Sequence, residues 1–203
     1  MNTVYNIWRQ TIAGLRFLLV MTVLLGVLYP AAVWGVSRLP GLHAKAEGSI
    51  VYQNGTPVGS RLIGVDLVDE RAAGDSTRDR FFHTRPTGDP STSGGSNLAG
   101  DSEALAKTIG ERRQAIATRE QVAESRIPVD AVTADFSGLD PHISPDYAAL
   151  QAKRVARNNH LPEAEVQKLI TENTSGRTLG FLGEPTVNVL ELNLAIQRAI
   201  THQ

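Results

Sequence analysis

Residues Phe17 to Val36 read FLLVMTVLLGVLYPAAVWGV, and this stretch decides the architecture. It carries no charge, and 16 of its 20 residues are apolar. About 20 such residues are what a helix needs to cross a hydrocarbon core roughly 30 Å thick. Both tryptophans of the chain flank it, Trp8 before and Trp34 at its far end, with Tyr5 and Tyr29 near them. At about 1.5 Å per residue the tryptophans lie about 39 Å apart along a helix, the spacing of two interfacial aromatic belts. Pro30 falls near the end, where a kink is tolerated. A cleaved signal peptide would have a shorter apolar core and small residues at its exit, but Tyr29, Val33 and Trp34 crowd that position. A buried core helix would show a polar face, and this run has none. The expected organisation is a membrane anchor over residues 1–37, with one transmembrane helix at about 12–36, followed by one soluble domain over residues 38–203.

The charge pattern divides at the same place. Of 20 Lys+Arg and 21 Asp+Glu, only Arg9 and Arg16 precede residue 38, so the anchor carries +2 and the remainder −3. A nucleic-acid binder would show a basic excess, and neither part does. The absence of cysteine excludes disulfides, thiolate metal sites, a Cys nucleophile and a lipidated Cys. Arg9 and Arg16 before the span nearly balance Arg38 and Lys45 after it, so the positive-inside rule leans only slightly toward an inner N-terminus. The spacing Ala31-x-x-x-Gly35 permits close approach of another helix but is a common pair.

The domain reads as α+β. Gly48 to Gln53 is expected as a strand, Asn54-Gly55 as a hairpin turn, and Val58, Leu62, Ile63 and Val65 as the returning apolar run. Residues 66–100 form a long loop rich in Asp, Arg, Gly, Ser, Thr and Pro, interrupted by Phe81-Phe82; loops of that length commonly carry function. Asp101 or Ser102 caps a helix bearing Leu105, Ile109, Ile116 and Val122. Val129 to Thr133 suggests a short strand. Ser144-Pro145-Asp146 is a helix start, with a Ser cap, Pro at the first position and an acid in the first turn. That helix should reach about Asn159, Pro162 should open another that ends before Gly176, and the tail should pass from strand at Val187 and Val189 into helix up to Ile200.

Two segments gather residues capable of chemistry. Phe81 to Leu98, FFHTRPTGDPSTSGGSNL, holds His83, Arg85 and the small residues Ser93, Gly94, Gly95, Ser96 and Asn97. A phosphate loop would need a Lys after its glycines, so the glycine pair reads first as a turn requiring permissive backbone angles. Ser137 to Ser144, SGLDPHIS, places Asp140 and His142 two apart, and His83 or Asp135 could join them. A hydrolase or metal centre on His83, Asp140 and His142 is the enzymatic reading. The structural reading has Asp140 holding backbone donors in the turn before the Ser144-capped helix, with His142 packed beside it. Metal binding needs three or four converging ligands and only two are local. Lys153, Arg154 and Arg157 read as a solvated helix face, with docking of an acidic partner as the other possibility for the three.

Seven motifs then occur in one order: the span ending LLGVLYPAAVWGV, GSIVYQNGTPVGSRLIG, FFHTRP, SGGSNL, VTADFSGLDPHISP, QAKRVARNN and GRTLGFLGEPTVNVLELNLAI. Together they cover most of the chain, and the sequence resembles the C subunit of Kdp-type potassium-transporting ATPases. The resemblance implies an accessory, non-catalytic subunit in a bacterial-type inner membrane. Its implied partners are a P-type catalytic subunit, a channel-like potassium-translocating subunit, a small membrane subunit and membrane lipid. It also implies a catalytic chaperone that raises the catalytic subunit's affinity for ATP, and a soluble domain on the outer side. An outer domain could not touch cytoplasmic ATP. Were the domain inside, Arg85 and the amides of Ser93 to Asn97 would be the candidates for nucleotide contact. No covalent cofactor is implied, and the chain lacks both the Asp-Lys-Thr-Gly-Thr phosphorylation loop and any Walker motif.

Overall fold

The computed structural model describes residues 2–72 and 74–201. The chain divides into two compact units, Met1–Ser49 and Ile50–Gln203.

The first unit is one continuous apolar helix, Thr3–Ser37, of 35 residues. It begins well before residue 12, is about 52 Å long at helical rise, and exposes its apolar side chains on every face. Two α-helical parts, α1 (Asn2–Val23) and α2 (Tyr29–Ser37), flank a π-helical turn at Leu24–Leu28. Pro30 explains the turn. It has no N–H to donate to the carbonyl four residues back, and the wider register lets Tyr29 N–H reach Leu24 O instead. Each end of the helix carries an arginine over an aromatic ring: Arg9 at 5.7 Å from Tyr5 and Arg38 at 5.2 Å from Trp34. Such pairs suit the two water–lipid boundaries. Past the helix, Arg38 also donates to Glu47 at 2.7 Å across the short helical turn α3 (His43–Ala46).

The second unit mixes helices with very short strands, as expected of an α+β domain. Antiparallel strands β1 (Ile50–Gln53) and β2 (Thr56–Ser60) form a hairpin. Asn54 and Gly55 both take positive φ at its turn, 51° and 78°, which is what a type I′ hairpin demands. The returning run does not stay extended to Val65: β2 stops at Ser60. Gly64 N–H instead donates to Leu139 O at 2.7 Å, and a Cβ at Gly64 would meet Asp140 O at 2.5 Å. The chain there is crossing another backbone too closely for a ladder.

Helix α4 (Glu103–Glu120) starts at Ser102, whose hydroxyl accepts from Leu105 N–H. Val129–Val132 is a helical turn, α5, and not a strand. Pro128 sets its first turn, and Thr133 Oγ1 donates back to Val129 O at 2.9 Å. An apolar run of this length has no period by which strand and helix can be told apart. Helix α6 (Pro145–Asn159) starts as expected, with Ser144 Oγ accepting from Tyr147 N–H and donating to Asp130 Oδ1. Helices α7 (Glu163–Glu172) and α8 (Val189–Thr201) follow. A three-stranded antiparallel sheet, in order β3 (His142–Ile143), β5 (Thr186–Asn188), β4 (Thr174–Ser175), ties their ends together. The core is built around α6, whose Tyr147, Ala148, Ala152 and Val155 are at most 1% exposed, packed with Phe82, Val166, Val187 and Leu192.

The same helix buries polar groups. Arg154 is 2% exposed, so the expected solvated face is corrected at this position, while Lys153 and Arg157 stay exposed. Arg154 Nε donates to both oxygens of Glu120, at 3.1 and 3.0 Å. Its Nη1 donates to the carbonyls of Asp79 and Phe81, at 2.6 and 2.9 Å, and its Nη2 to Gln151 Oε1. Burial pushes the guanidinium's proton affinity down, and the Glu120 carboxylate acts against that. Removing one partner of such a pair leaves a buried, uncompensated charge, at a cost of about 3–5 kcal/mol. Arg154→Ala is therefore expected to lower unfolding free energy by about that much in urea titrations of the detergent-solubilised protein, whereas Lys153→Ala should stay within about 0.5 kcal/mol of the parent.

Candidate functional site

The segment Asp79 to Thr84 runs through the domain without a neighbouring strand, and side chains stand in for one. Phe82 N–H donates to Asn193 Oδ1 at 2.7 Å, and Asn193 Nδ2 returns a bond to Phe82 O at 2.9 Å. His83 makes the same reciprocal pair with Gln151, at 2.8 and 3.1 Å. Asn158 and Asn159 of α6 take the carbonyls of Asp79 and Arg80, each at 2.8 Å. A primary amide presents the same donor and acceptor as a peptide group, so these residues act as a substitute sheet. Phe82 is thereby delivered, fully buried, into the core.

His83 is also buried and is held by this frame. Its Nδ1 lies 3.1 Å from Asp66 Oδ1, and its Nε2 lies 3.7 Å from Asp79 Oδ2. Asp66 Oδ1 additionally accepts from Thr84 N–H at 3.0 Å. Burial works against ionisation of Asp66, but the His83 hydrogen bond and charge, the Thr84 amide and Arg119 outweigh it and hold the carboxyl below its usual range.

Asp140 and His142 form a separate pair. Asp140 Oδ1 accepts from His142 N–H and faces His142 Nδ1, both at 3.0 Å. Arg85 Nη1 donates to Asp140 Oδ2 at 3.3 Å, while its Nε and Nη2 hold Thr133 O. Burial opposes ionisation of Asp140, and the His142 contacts and Arg85 overcome it, so this carboxyl too sits low. Asp135 collects the amides of Gly138 and Asp140 and the Ser137 hydroxyl. His83 is thus bonded to Asp66, and His142 to Asp140. Among the described residues no group of three His, Asp or Glu side chains is arranged to hold a metal ion. Asp140 Oδ1 holds both the amide and the ring of His142 in the turn before the Ser144 cap.

The small residues behave differently from a permissive turn. Gly94 and Gly95 do not take positive φ; Asn97 does, at 53°. Gly95 is needed for close approach, whereas a Cβ at Gly94 would meet nothing. Gly94 N–H donates to Ser137 O at 2.8 Å, Ser93 Oγ reaches the same carbonyl at 3.1 Å, and a Cβ at Gly95 would stand 2.9 Å from Phe136 O. Gly95, Ser96 and Asn97 line a groove of about 330 Å³ whose other walls include Leu105, Ile109 and the exposed ring of Phe136. Arg85 lines another cavity, of about 270 Å³, with Arg112 and Arg119. Of the residues that the sequence suggested as one nucleotide-contact group, Gly95, Ser96 and Asn97 therefore line one cavity and Arg85 another, while Ser93 and Gly94 line neither.

Sequence reasoning missed Gln151, Asn158, Asn159 and Asn193 as the frame of this region. A signal was present: Gln151, Arg154 and Asn158 recur at helical spacing on the stripe that also carries Tyr147, Ala148 and Val155. Polar groups on a core-facing stripe must find buried partners.

Comparison with known proteins finds one matching family model, K+-transporting ATPase, c chain (KdpC), over residues 11–198. The chain is 47% identical over 199 residues to the potassium-transporting ATPase KdpC subunit of Kineococcus radiotolerans, covering 96% of each chain. It is 44% identical over 219 aligned positions to that of Streptomyces avermitilis, covering 98% of each. For the Mycobacterium bovis protein the identity is 41% over 196 residues, covering 94% of this chain and 98% of the relative.

The lowered carboxyls make stability acid-sensitive. A carboxyl whose folded pKa is depressed contributes stability that is fully present above its unfolded value, about 3.9, and that is lost as pH falls through the folded value. Thermal midpoints should fall below about pH 4, and Asp66→Asn should flatten part of that decline while lowering the neutral-pH midpoint. Parallel acid limbs for the two proteins would contradict the assignment.

Proposed function

The chain belongs to the KdpC family, the c chain of K+-transporting ATPases, and on that premise we propose that it is the accessory subunit that stabilises such a pump and tunes its catalytic subunit. The observation that carries the reading is the match across residues 11–198, which joins the apolar helix and the polar domain in one family unit. The anchor supports it further. A 35-residue helix with apolar side chains on every face has length enough to span lipid and surface enough to pack against other membrane helices.

The partners in this reading are a P-type catalytic subunit, a channel-like potassium-translocating subunit and a small membrane subunit. The chain itself is non-catalytic: Asp66, His83, Asp140 and His142 serve the fold, and the phosphorylated residue belongs to the catalytic partner. It resides in the bacterial inner membrane, N-terminus in the cytoplasm and domain outside. From there it raises ATP affinity as a catalytic chaperone without contacting ATP. Any subunit that favours the ATP-competent state of a complex raises nucleotide affinity by the same coupling free energy, wherever it sits. Arg85 and the Ser93–Asn97 segment are in this account contacts to partner subunits.

Two experiments test the proposal. Deleting residues 1–37 should release a domain that no longer copurifies with the pump; undiminished assembly would contradict the anchor's role. The chain has no cysteine, so Thr56→Cys, beside the exposed hairpin turn, gives a single reporter of sidedness. Labelling of intact spheroplasts by a membrane-impermeant maleimide is expected, and labelling only after lysis would place the domain inside.

A further inference from the structure

The C-terminal end of α6 and the loop bound to it enclose a cleft of about 350 Å³ lined by Arg71, Arg78, Arg80 and Arg157, with Asp69 and His160 beside them. It is a built feature. Arg157 Nη2 and Asn158 Nδ2 both donate to Thr77 O, at 2.8 and 2.9 Å, which fixes the 76–80 loop against the helix and holds Arg78 and Arg80 over one opening. Three of the five N–H donors of Arg157 are taken up by Thr77, Gln121 and Asn158, which fixes its charge in place. Arg71 and Arg78 form no ion pair among the described residues, and Arg80 uses its Nε alone, on Asp69.

The counter-charge is small. Asp69 is the only carboxylate in the lining and is already engaged by Arg80 and by the Arg71 amide. Asp75 stands nearby, its oxygen occupied by the Thr77 amide and hydroxyl, and it feels the charges of Arg78 and Arg157. Counting both acids, the cleft keeps two positive charges, in a domain that carries a net negative charge over residues 38–203. Guanidinium groups left with unused planar N–H donors match the paired oxygens of a phosphate, and the residual charge matches a doubly ionised one.

We propose that this cleft binds a phosphate-bearing anion, either free phosphate or the headgroup of an anionic phospholipid. It shares no lining residue with the cavities that take Arg85 and Gly95 to Asn97, and it does not depend on which side of the membrane the domain occupies. Arg71 and Arg78 are exposed and outside the frame that α6 builds, so Arg71→Ser/Arg78→Ser should keep the fold. Its thermal midpoint in chloride buffer checks this.

The test uses the full chain in detergent, titrated with inorganic phosphate at constant ionic strength and read by isothermal calorimetry. Saturable binding is expected for the parent and for the control Lys153→Ser. The double variant should bind at least about tenfold more weakly, the loss of one or two charge-assisted hydrogen bonds. In a second arm the chain is placed in nanodiscs of phosphatidylglycerol or of phosphatidylcholine. Weakened phosphate binding in phosphatidylglycerol alone assigns the cleft to the lipid headgroup, and equal binding in both assigns it to free phosphate. Absence of saturable phosphate binding to the parent in detergent, or unchanged affinity in the double variant, overturns the proposal.

Discussion

An extended segment buried in a protein core must satisfy its peptide groups, and Asp79 to Thr84 does so without a sheet. Its amides and carbonyls are met by Asn193 from α8 and by Gln151, Arg154, Asn158 and Asn159 from α6. An unmet buried peptide group costs about 1–3 kcal/mol, so each of these side chains is required at its place. Once they are fixed, much follows. Phe82 fills the centre of the core, His83 is brought to Asp66, and Arg85 leaves the segment positioned to join Thr133 and Asp140.

The constraint also explains why a domain with two- and three-residue strands is ordered. The β3–β5–β4 sheet is too short to organise a core by itself. Arg154 links the segment to α4 through Glu120, and Asp140 links it through Arg85 to the turn that precedes α6. Asp66 and Asp140, both held below the usual carboxyl range, accept from the backbone amides of Thr84 and His142, although perturbed ionisation is also the mark of active sites. The two histidine–carboxylate pairs are separate, and each carboxylate also secures a backbone amide.

Local signals were legible in the sequence and long-range ones were not. The anchor could be read because an all-apolar run of that length has few uses outside lipid. Asn54-Gly55, Ser102 and Ser144-Pro145 could be read because turns and caps are decided by residues a few positions apart. Arg154 could not, because its charge partner Glu120 and the carbonyls of Asp79 and Phe81 lie 34 or more residues away, and a lone arginine on a helix usually faces water. Val129–Thr133 reads as a strand but forms a helical turn, because five residues, three of them apolar, carry no period. The two glycines at 94 and 95 pointed to special backbone, but neither takes a left-handed angle, and only Gly95 is held by close approach, to the carbonyl of Phe136. Family membership was legible because seven motifs in order outweigh the ambiguity of each.

The amide frame ties a segment that belongs to no helix or strand into the core of the domain. The frame's existence is most directly tested by residue-resolved hydrogen exchange on the intact chain in detergent. The amides of Phe82 and His83 should exchange as slowly as those of Val155 in the middle of α6, despite lying outside any helix or strand. Exchange of these two amides at the rate of exposed loop residues would show that the side chains do not hold the segment, and would contradict the account.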